Sequence, residues 1–338
     1  MLFQTTEKMA KEDGAPILDL KWSPWDNGKI YTAGCNKTVR LWDLATNQSM
    51  DIGQHSEPIK SLHPCLVGPG SQPCVVTGCW GKQLMYWDPR SPKPALSSVA
   101  LPERVFAMDV RDNNMVIATA PPSTGNNLPG SLHVFDIRNN PQSPTRSVQS
   151  AFKFATRTVR IFADAQTYAY ATIEGRCRVN CLRESDDNAN QVGDTGGPGG
   201  KPRPLAFVFR CHRISEKMIF PVNAIDVHPD PSPAMNPVFA TAGSDGCVTL
   251  WNRYKRMKVN DLFSAQYASA LGPENTTWPV RLPITDVKFS ADGNTLAYSA
   301  SYDYSRGKEG LEEHNTKAQP NVIYLRHTPP QQLQTAKK

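Results

Sequence analysis

Short alternations of apolar and polar residues recur along the chain from Ile17 to Arg326. The first group reads ILDLKWSP, KIYTAG and TVRLWD, three runs separated by residues that favour turns. A period of two over four to eight residues is typical of half-buried strands, and the turns between the runs indicate antiparallel pairs. The pattern therefore predicts an all-β chain.

The alternating runs fall into six similar groups, whose closing residues lie at positions 43, 88, 136, 182, 252 and 326. The first three intervals, of 45, 48 and 46 residues, lie close to the WD-repeat period of about 40 to 45 residues. The Trp-Asp pairs at 42–43 and 87–88 and the Ser-Asp-Gly turn at 244–246 are signature residues of these repeats. A single sheet cannot bury both faces, so such sheets pack as blades. We predict a WD-repeat β-propeller with about six blades.

Composition divides the chain into a propeller and several segments without strands. The propeller is predicted over residues 14–326, after an N-terminal segment at 1–13. Residues 183–204 are polar and rich in Gly and Pro, which predicts a loop, and residues 303–320 are predicted to form a long charged hairpin loop. The tail at 327–338 contains Pro, Gln and two terminal Lys, and we expect it to be disordered.

Charge and cysteine content narrow the class of protein. The net charge is +6, and no apolar stretch reaches 18 residues, so we expect no membrane insertion. The eight cysteines include no C-x-x-C pair, and the N-terminus has no secretory signal, which predicts reduced thiols. A zinc site at Cys211 and His212 would need further ligands nearby, and the sequence offers none. We therefore predict no metal or other cofactor.

Catalytic motifs are missing from the sequence. It contains no G-x-S-x-G, H-E-x-x-H or paired-carboxylate motif. His55 precedes the first strand of a blade, so we expect it to join a buried hydrogen-bond network with Trp87. His228, in a VHPD turn, is expected to be structural as well. The sequence therefore predicts a non-enzymatic protein whose function lies on its surface.

Basic residues are concentrated in two groups near strand ends. No acid occurs between residues 201 and 213, and four more basic residues follow Trp251. Arginine can form bidentate bonds with carboxylate or phosphate, so an acidic peptide and a nucleic-acid backbone are both suitable partners. A solvated basic face is the alternative for each group, although interleaved aromatic residues suit a binding surface. The groups are Lys201, Arg203, Arg210 and Arg213, and Arg253, Lys255, Arg256 and Lys258.

Several segments resemble one known family. KTVRLWDLATNQSMDIGQHSEPIKS (37–61), LPER, IEGRCRV, FRCHR and SYDYSRG are similar to the messenger-RNA export factors of the Rae/Gle type, which are WD-repeat propellers of the nuclear pore. A sister family, the spindle-checkpoint propellers that bind Bub kinases, shares the EGR and GSDG segments but resembles LPER and SYDYSRG less well. The resemblance extends over nearly the whole chain from about Gly14.

The resemblance implies a non-enzymatic scaffold that binds an acidic segment of an FG-repeat nucleoporin and supports mRNA export and protein transport. It places the chain in the nucleus, at the nuclear pore and envelope, and also in the cytoplasm. Arg176 of the EGR motif and Arg210 of the FRCHR segment match the family's contacts with acids of that partner, with His212 and Arg213 beside them. The alternative is a spindle-checkpoint adaptor that binds a Bub-type kinase segment through the same surface.

Three residues of the second basic group, Arg253, Arg256 and Lys258, are similar to a family surface implicated in nucleic-acid contact. RNA and mitotic checkpoint proteins are thus further expected partners.

The family has seven blades, and the resemblance implies that the first is missing here. Gly81 replaces a polar turn residue and Asn252 replaces a closing Asp, so we expect incomplete hydrogen-bond networks in two blades.

Overall fold

The computed structural model describes residues 14–91, 95–123, 128–186, 204–232, 235, 237–261, 282–316 and 321–334. Within these ranges, 23 strands form six antiparallel sheets, in which strands that are consecutive in the chain are hydrogen-bonded neighbours. Five sheets have four strands, and the last has three. The fold is all-β with six blades of the WD-repeat propeller type, which confirms the predicted class.

The first three blades contain the following strands: β1 (Ile17–Trp22), β2 (Lys29–Gly34), β3 (Thr38–Asp43) and β4 (Gln48–Gln54) in blade 1; β5 (Ile59–Val67), β6 (Gln72–Cys79), β7 (Gln83–Trp87) and β8 (Ser97–Ala100) in blade 2; β9 (Val105–Arg111), β10 (Asn114–Thr119), β11 (Ser131–Asp136) and β12 (Arg146–Gln149) in blade 3.

The other three blades follow in the same order: β13 (Thr156–Ile161), β14 (Thr167–Thr172), β15 (Arg176–Cys181) and β16 (Phe207–Arg210) in blade 4; β17 (Val222–Val227), β18 (Val238–Gly243), β19 (Val248–Asn252) and β20 (Met257–Asp261) in blade 5; β21 (Ile284–Phe289), β22 (Thr295–Ala300) and β23 (Val322–His327) in blade 6. The chain divides into two compact units, of which the first ends at Thr156 and the second begins at Arg157.

Within the first unit, neighbouring blades bury their apolar faces against each other. Val39 of blade 1 and Leu62 of blade 2 are fully buried in one cluster, and Leu84 of blade 2 and Met115 of blade 3 are fully buried in another. The alternating positions of the sequence supply these side chains, because every second residue of a strand points to the same face. A carboxylate oxygen of Asp19 in β1 also accepts a hydrogen bond from the Leu62 N–H in β5 at 3.0 Å.

The second unit repeats this arrangement. Val179 of blade 4 packs in one cluster with Ile225 of blade 5, and a separate cluster joins blade 5 to blade 6. The Asp226 carboxylate in β17 accepts a hydrogen bond from the Phe289 N–H in β21 at 2.8 Å. A carboxylate on the first strand of one blade thus reaches the first strand of the next blade in both units.

The prediction of a hairpin loop over residues 303–320 is wrong, because helix α1 occupies Gly307–Thr316 between β22 and β23. The Tyr302 hydroxyl donates to the Gly307 carbonyl at 2.8 Å and accepts from the Arg306 N–H at 3.0 Å, and the Tyr302 ring stacks on His314. An aromatic residue therefore anchors a segment whose charges suggested a solvated loop.

The tail is also more ordered than predicted. β23 continues to His327, and a short helix, α2, occupies Pro330–Gln334. Leu333 is fully buried in the cluster that joins blades 5 and 6, so one leucine anchors a segment that is otherwise polar. Of the loop predicted at 183–204, residues 187–203 lie outside the described residues. The segment at 1–13 lies outside them as well.

A buried hydrogen-bond network connects the strands of blade 2. The Thr77 hydroxyl lies 2.7 Å from His55 Nε2 and accepts a hydrogen bond from the Trp87 indole N–H at 2.7 Å. This confirms the structural role predicted for His55. Its Nδ1, however, is buried without a hydrogen-bond partner among the described residues, and burial lowers the His55 pKa to about 4.

The corresponding network in blade 5 is complete. The Thr241 hydroxyl lies 2.8 Å from His212 Nε2 and accepts from the Trp251 indole N–H at 2.9 Å. A carboxylate oxygen of Asp245 lies 2.9 Å from His212 Nδ1. Asp245 is four residues after the threonine of its network, and Gly81 is four residues after Thr77 in blade 2.

The predicted defect at Gly81 is therefore confirmed, because the missing carboxylate leaves a ring nitrogen of His55 without its partner. The turn at Asn252 keeps one of these side-chain hydrogen bonds. The Asn252 side-chain oxygen accepts from the Lys255 N–H at 2.9 Å, as Asp43 accepts from the Thr46 N–H at 3.1 Å, while Asp43 accepts a second bond from the Ala45 N–H at 2.9 Å. An amide oxygen can form this bond because it is also an acceptor.

Replacing Gly81 by Asp should complete the network of blade 2. A Cβ at position 81 would lie 3.2 Å from the Glu57 Cβ, so any side chain there requires a small shift of its neighbours. The Gly81→Ala variant has that steric cost without the carboxylate and is the matched control. We expect Gly81→Asp to exceed Gly81→Ala by about 1 kcal/mol in free energy of unfolding at pH 7, measured in urea. Equal stability of the two variants would contradict this explanation.

The same pair of variants should differ more at lower pH. Because the His55 pKa is about 4 in the folded state and about 6.5 when unfolded, the unfolded state takes up the proton first. Stability present above the unfolded pKa is therefore lost as the pH falls toward 4. An aspartate would stabilise the imidazolium and reduce this loss. We expect the stability gap between the Asp and Ala variants to widen from pH 7 to pH 5; a gap that shrinks would count against an Asp–His55 contact.

Candidate partner-binding surface

The first predicted arginine lies at a tight turn of blade 4. Gly175, the last residue before β15, has a φ of +62°, and a Cβ there would lie 2.7 Å from the Cys211 carbonyl oxygen. Only glycine fits this position without strain. The EGR motif thereby lets the end of β16 approach the turn closely and places Arg176 at the start of β15.

Arg176 and Arg210 are directly opposite each other in the antiparallel pair of β15 and β16. The Arg176 side chain is 38% exposed, and its Nε lies 3.7 Å from a carboxylate oxygen of Glu174. Arg210 is exposed and has no ion pair among the described residues. Like charges that are directly opposite destabilise a sheet, so this edge of blade 4 can gain stability from an anionic group.

Arg213 also lies near this pair, but its guanidinium faces the backbone of the turn. It donates to the Glu174 carbonyl at 2.9 Å and to the Gly175 carbonyl at 3.4 Å. These bonds tie the segment after β16 to the turn before β15. Arg213 therefore positions the turn, and only its remaining N–H groups are available to a partner.

The prediction that His212 contacts a partner is wrong. Its side chain is fully buried, and both ring nitrogens face the Asp245 and Thr241 side chains. Gly243 allows this arrangement, because a Cβ there would lie 2.4 Å from His212 Nδ1. His212 instead belongs to a His–Thr–Trp network like that of blade 2, and Arg210 in the same FRCHR segment carries the exposed charge.

A short hairpin after β16 adds apolar side chains that the sequence analysis did not identify. Arg213 and Ile219 form an isolated antiparallel bridge, and the Ile214 N–H donates to the Met218 carbonyl at 3.1 Å. Ile214 is 66% exposed, and Met218 and Ile219 are exposed as well. We define the β15–β16 surface as Arg176, Arg210, Ile214, Met218 and Ile219. The only sequence signal was three apolar residues in a segment without strand periodicity.

The second basic group has a different arrangement, and the prediction of Arg253 as a surface contact is wrong. Arg253 is 2% exposed. Its guanidinium donates to the Asp164 carboxylate and to the Thr167 hydroxyl, and its Cζ lies 4.1 Å from the centroid of the Phe162 ring. Arg253 thus links blade 5 to the turn between β13 and β14 of blade 4.

Arg256 is also engaged within the protein. Its guanidinium donates to the Pro204 carbonyl, and its Cζ lies 4.7 Å from the centroid of the Phe207 ring. Lys258 lies opposite Trp251 on β20, where it is exposed, and Lys255 is exposed in the preceding turn. The residues predicted to contact nucleic acid therefore do not form one open surface.

Comparison with known proteins identifies the fold and the family. The family model "WD domain, G-beta repeat" matches residues 7–43. "Protein Rae1" of Drosophila melanogaster is 31% identical over 90% of this chain and 76% of its own length. "mRNA export factor GLE2" of Chaetomium thermophilum is 31% identical over 95% and 76%. "mRNA export factor" of Xenopus tropicalis is 33% identical over 96% and 77%.

The blades and the repeat match define the chain as a WD-repeat protein of the propeller class. Within that class, it belongs to the Rae1/GLE2 family of mRNA export factors. These WD-repeat factors are a non-enzymatic type of protein. No helix in the described part of the chain is long and apolar enough to cross a membrane.

The structural role of Arg253 can be tested by truncation. We expect Arg253→Ala to lower the free energy of unfolding by about 3 kcal/mol, because Asp164 then loses its ion pair in a largely buried setting. Lys258→Ala, which removes an exposed cation from the same basic group, should change stability by less than about 0.5 kcal/mol. Urea unfolding measures both. Similar stabilities of the two variants would show that Arg253 does not hold the blades together.

Proposed function

We propose that this chain is an mRNA export adaptor that binds an acidic segment of an FG-repeat nucleoporin through the β15–β16 surface at the nuclear pore. Membership of the Rae1/GLE2 family and the similarity to relatives named mRNA export factor support a role in mRNA export. The observation that carries the binding site is the pair of opposed guanidinium groups of Arg176 and Arg210, of which Arg210 has no ion pair among the described residues.

The physical basis is charge complementarity on a sheet edge. Each guanidinium can donate two parallel hydrogen bonds to one carboxylate, which gives both affinity and orientation. Two carboxylates of an acidic segment would also relieve the repulsion between the arginines. The apolar side chains of Ile214, Met218 and Ile219 lie on the adjoining hairpin and would bury the apolar residues of the same segment, since such contacts commonly supply binding energy at an interface.

The second basic group has no part in this proposal. Arg253 and Arg256 donate their hydrogen bonds within the protein, so two of the three predicted nucleic-acid contacts are committed to the fold. An acidic kinase segment would meet the same two arginines as a nucleoporin segment. A direct comparison of the two peptides therefore distinguishes the export adaptor from the checkpoint alternative, and the export adaptor should bind the nucleoporin segment more tightly.

Charge reversal tests the surface. We expect Arg176→Glu combined with Arg210→Glu to weaken binding of an acidic nucleoporin segment by at least about 100-fold, because each charged hydrogen-bonded contact contributes about 1.5 to 3 kcal/mol. Lys255→Glu combined with Lys258→Glu makes the same change in net charge on exposed residues and should alter affinity less than about threefold. Fluorescence anisotropy with a labelled peptide measures affinity, and thermal melting verifies that both double variants are folded.

Two results would overturn the assignment. Unchanged affinity in the Arg176/Arg210 double variant would exclude the β15–β16 surface. An equal loss in the Lys255/Lys258 variant would show that binding follows net charge rather than this pair of arginines.

A further inference from the structure

Two cysteines directly follow the two arginines of the β15–β16 pair in sequence. Cys177 follows Arg176 in β15, and Cys211 follows Arg210 at the end of β16. Their sulfur atoms are 3.4 Å apart. Cys177 is fully buried, and Cys211 is 6% exposed.

The position of Gly175 explains this close approach. The Cys211 N–H donates to the Gly175 carbonyl at 3.0 Å, so these two residues lie opposite each other and Cys177 lies diagonally across the pair of strands. Because Gly175 has no side chain, the backbone of Cys211 can lie close to the start of β15; a Cβ at position 175 would lie 2.7 Å from the Cys211 carbonyl oxygen. A disulfide has a sulfur–sulfur distance of about 2.05 Å, so the two sulfur atoms need to approach each other by roughly 1.4 Å.

We propose that Cys177 and Cys211 form a reversible disulfide site, and that closure of this bond weakens binding of an acidic partner at the β15–β16 surface. The disulfide itself is independent of the proposed function, whereas its effect on binding rests on that function. The oxidant belongs to the peroxide class, and a dithiol reductant reopens the bond.

The reaction balances with one peroxide per disulfide. The Cys211 thiolate attacks hydrogen peroxide, and a sulfur–oxygen bond forms as the oxygen–oxygen bond breaks, which yields a sulfenic acid and hydroxide. The Cys177 sulfur then displaces the sulfenic oxygen as hydroxide, and the sulfur–sulfur bond forms. The two thiol protons convert both hydroxides to water. Two thiols are thereby oxidised by two electrons, and the peroxide is reduced to two waters.

The environment distinguishes the two sulfurs. Burial raises the pKa of the Cys177 thiol. Burial also acts to raise the pKa of Cys211, but the hydrogen bond from Cys177 and the neighbouring His212 and Arg213 hold it below its usual value. Since the thiolate is the nucleophile, Cys211 is the thiol that reacts first with the oxidant.

Access to these thiols depends on the outer strand of blade 4. In the described sheet, β16 is the last strand and is hydrogen-bonded only to β15. Outer strands open locally at a lower free energy than the strands of the core. Transient opening of β16 would expose Cys211 to peroxide and leave the remainder of the blade folded.

Closure of the Cys177–Cys211 disulfide should displace the two arginines, because the cysteines are diagonal neighbours across β15 and β16 rather than directly opposite each other. Diagonal neighbours across a strand pair lie about 7 to 8 Å apart, whereas disulfides favour Cα separations of roughly 4.4 to 6.8 Å. The strands must therefore shift to close the bond, and such a strained disulfide is readily reduced. Arg176 and Arg210 are the adjacent residues, and a binding group tolerates a displacement of only about 0.5 Å.

Blade 2 provides a matched control. Cys65 and Cys74 are directly opposite each other in β5 and β6, and both are buried. Their sheet contains neither arginine of the proposed surface. Removing one cysteine of this pair therefore controls for the loss of a buried thiol without altering blade 4.

The experiment treats the full chain with hydrogen peroxide and then identifies linked peptides by mass spectrometry without reduction. We expect a Cys177–Cys211 link in more than half of the molecules, and complete loss of the link after treatment with dithiothreitol. Cleavage after glutamate places Cys177 in the peptide 175–184, and fragment spectra distinguish it from Cys181. Failure to detect the link in folded protein would overturn the disulfide site.

Affinity for the acidic nucleoporin segment supplies the second readout. Oxidation should weaken binding about tenfold in the unaltered chain and in Cys74→Ala, and should have no effect in Cys177→Ala. Cys177→Ser replaces Cys177→Ala if the alanine variant does not fold. Equal affinities of the oxidised and reduced chains, with the link present, would overturn the regulatory effect. If the reduced chain itself does not bind the segment, the proposed function fails, and the linked peptide alone decides the disulfide site.

Discussion

The structure depends on the burial of one sheet face against the next. A four-stranded sheet with apolar residues on both faces is unstable alone, and each blade is covered by its neighbours within its unit. Asp19 and Asp226 give this packing a defined geometry, since each carboxylate accepts a hydrogen bond from a backbone N–H of the following blade. Non-directional apolar burial drives the association, and the directional bonds restrict how neighbouring first strands align.

The packing of blades against each other also decides which basic residues remain available to a binding partner. Arg253 lies next to a blade junction. There its guanidinium forms an ion pair with Asp164 and a cation–π contact with the ring of Phe162. Arg210 lies on an outer strand, where no neighbouring blade of the described chain supplies an acid. The two arginines therefore differ because Arg253 faces an adjacent blade and Arg210 faces solvent.

The two arginines of the candidate surface could be anticipated from the sequence. The inward position of His212 and the exposed apolar residues of the hairpin could not. The EGR motif and the FRCHR segment placed Arg176 and Arg210 together by resemblance, and the structure explains their proximity through the β15–β16 register. His212 belongs to the same segment but faces inward, because Gly243 leaves room for its ring and Asp245 supplies its hydrogen bond. The apolar hairpin residues were missed because exposure is a property of the folded chain.

Two segments show why composition alone misjudged local order. Residues 307–316 are rich in charge, but the Tyr302 hydroxyl bonds at their start organise a helix. The C-terminal tail is mostly polar, but Leu333 is fully buried in the cluster of apolar residues from blades 5 and 6. In each case the contacts of one aromatic or aliphatic side chain order a segment that is polar on average. These contacts form only in the folded chain, so composition does not reveal them.

The strand pattern, the six repeats, the positions of the turns and the family could be predicted from the sequence, because these are encoded in local periodicity and in short motifs. Which polar groups are paired follows only from the folded chain, as shown by the His55 nitrogen that has no hydrogen-bond partner among the described residues and by the buried ion pair of Arg253. Folding also brought the Cys177 and Cys211 thiols together. The physical reason is that strand formation follows from neighbours in the chain, whereas pairing and burial depend on residues that are distant in sequence and meet only after the blades have packed.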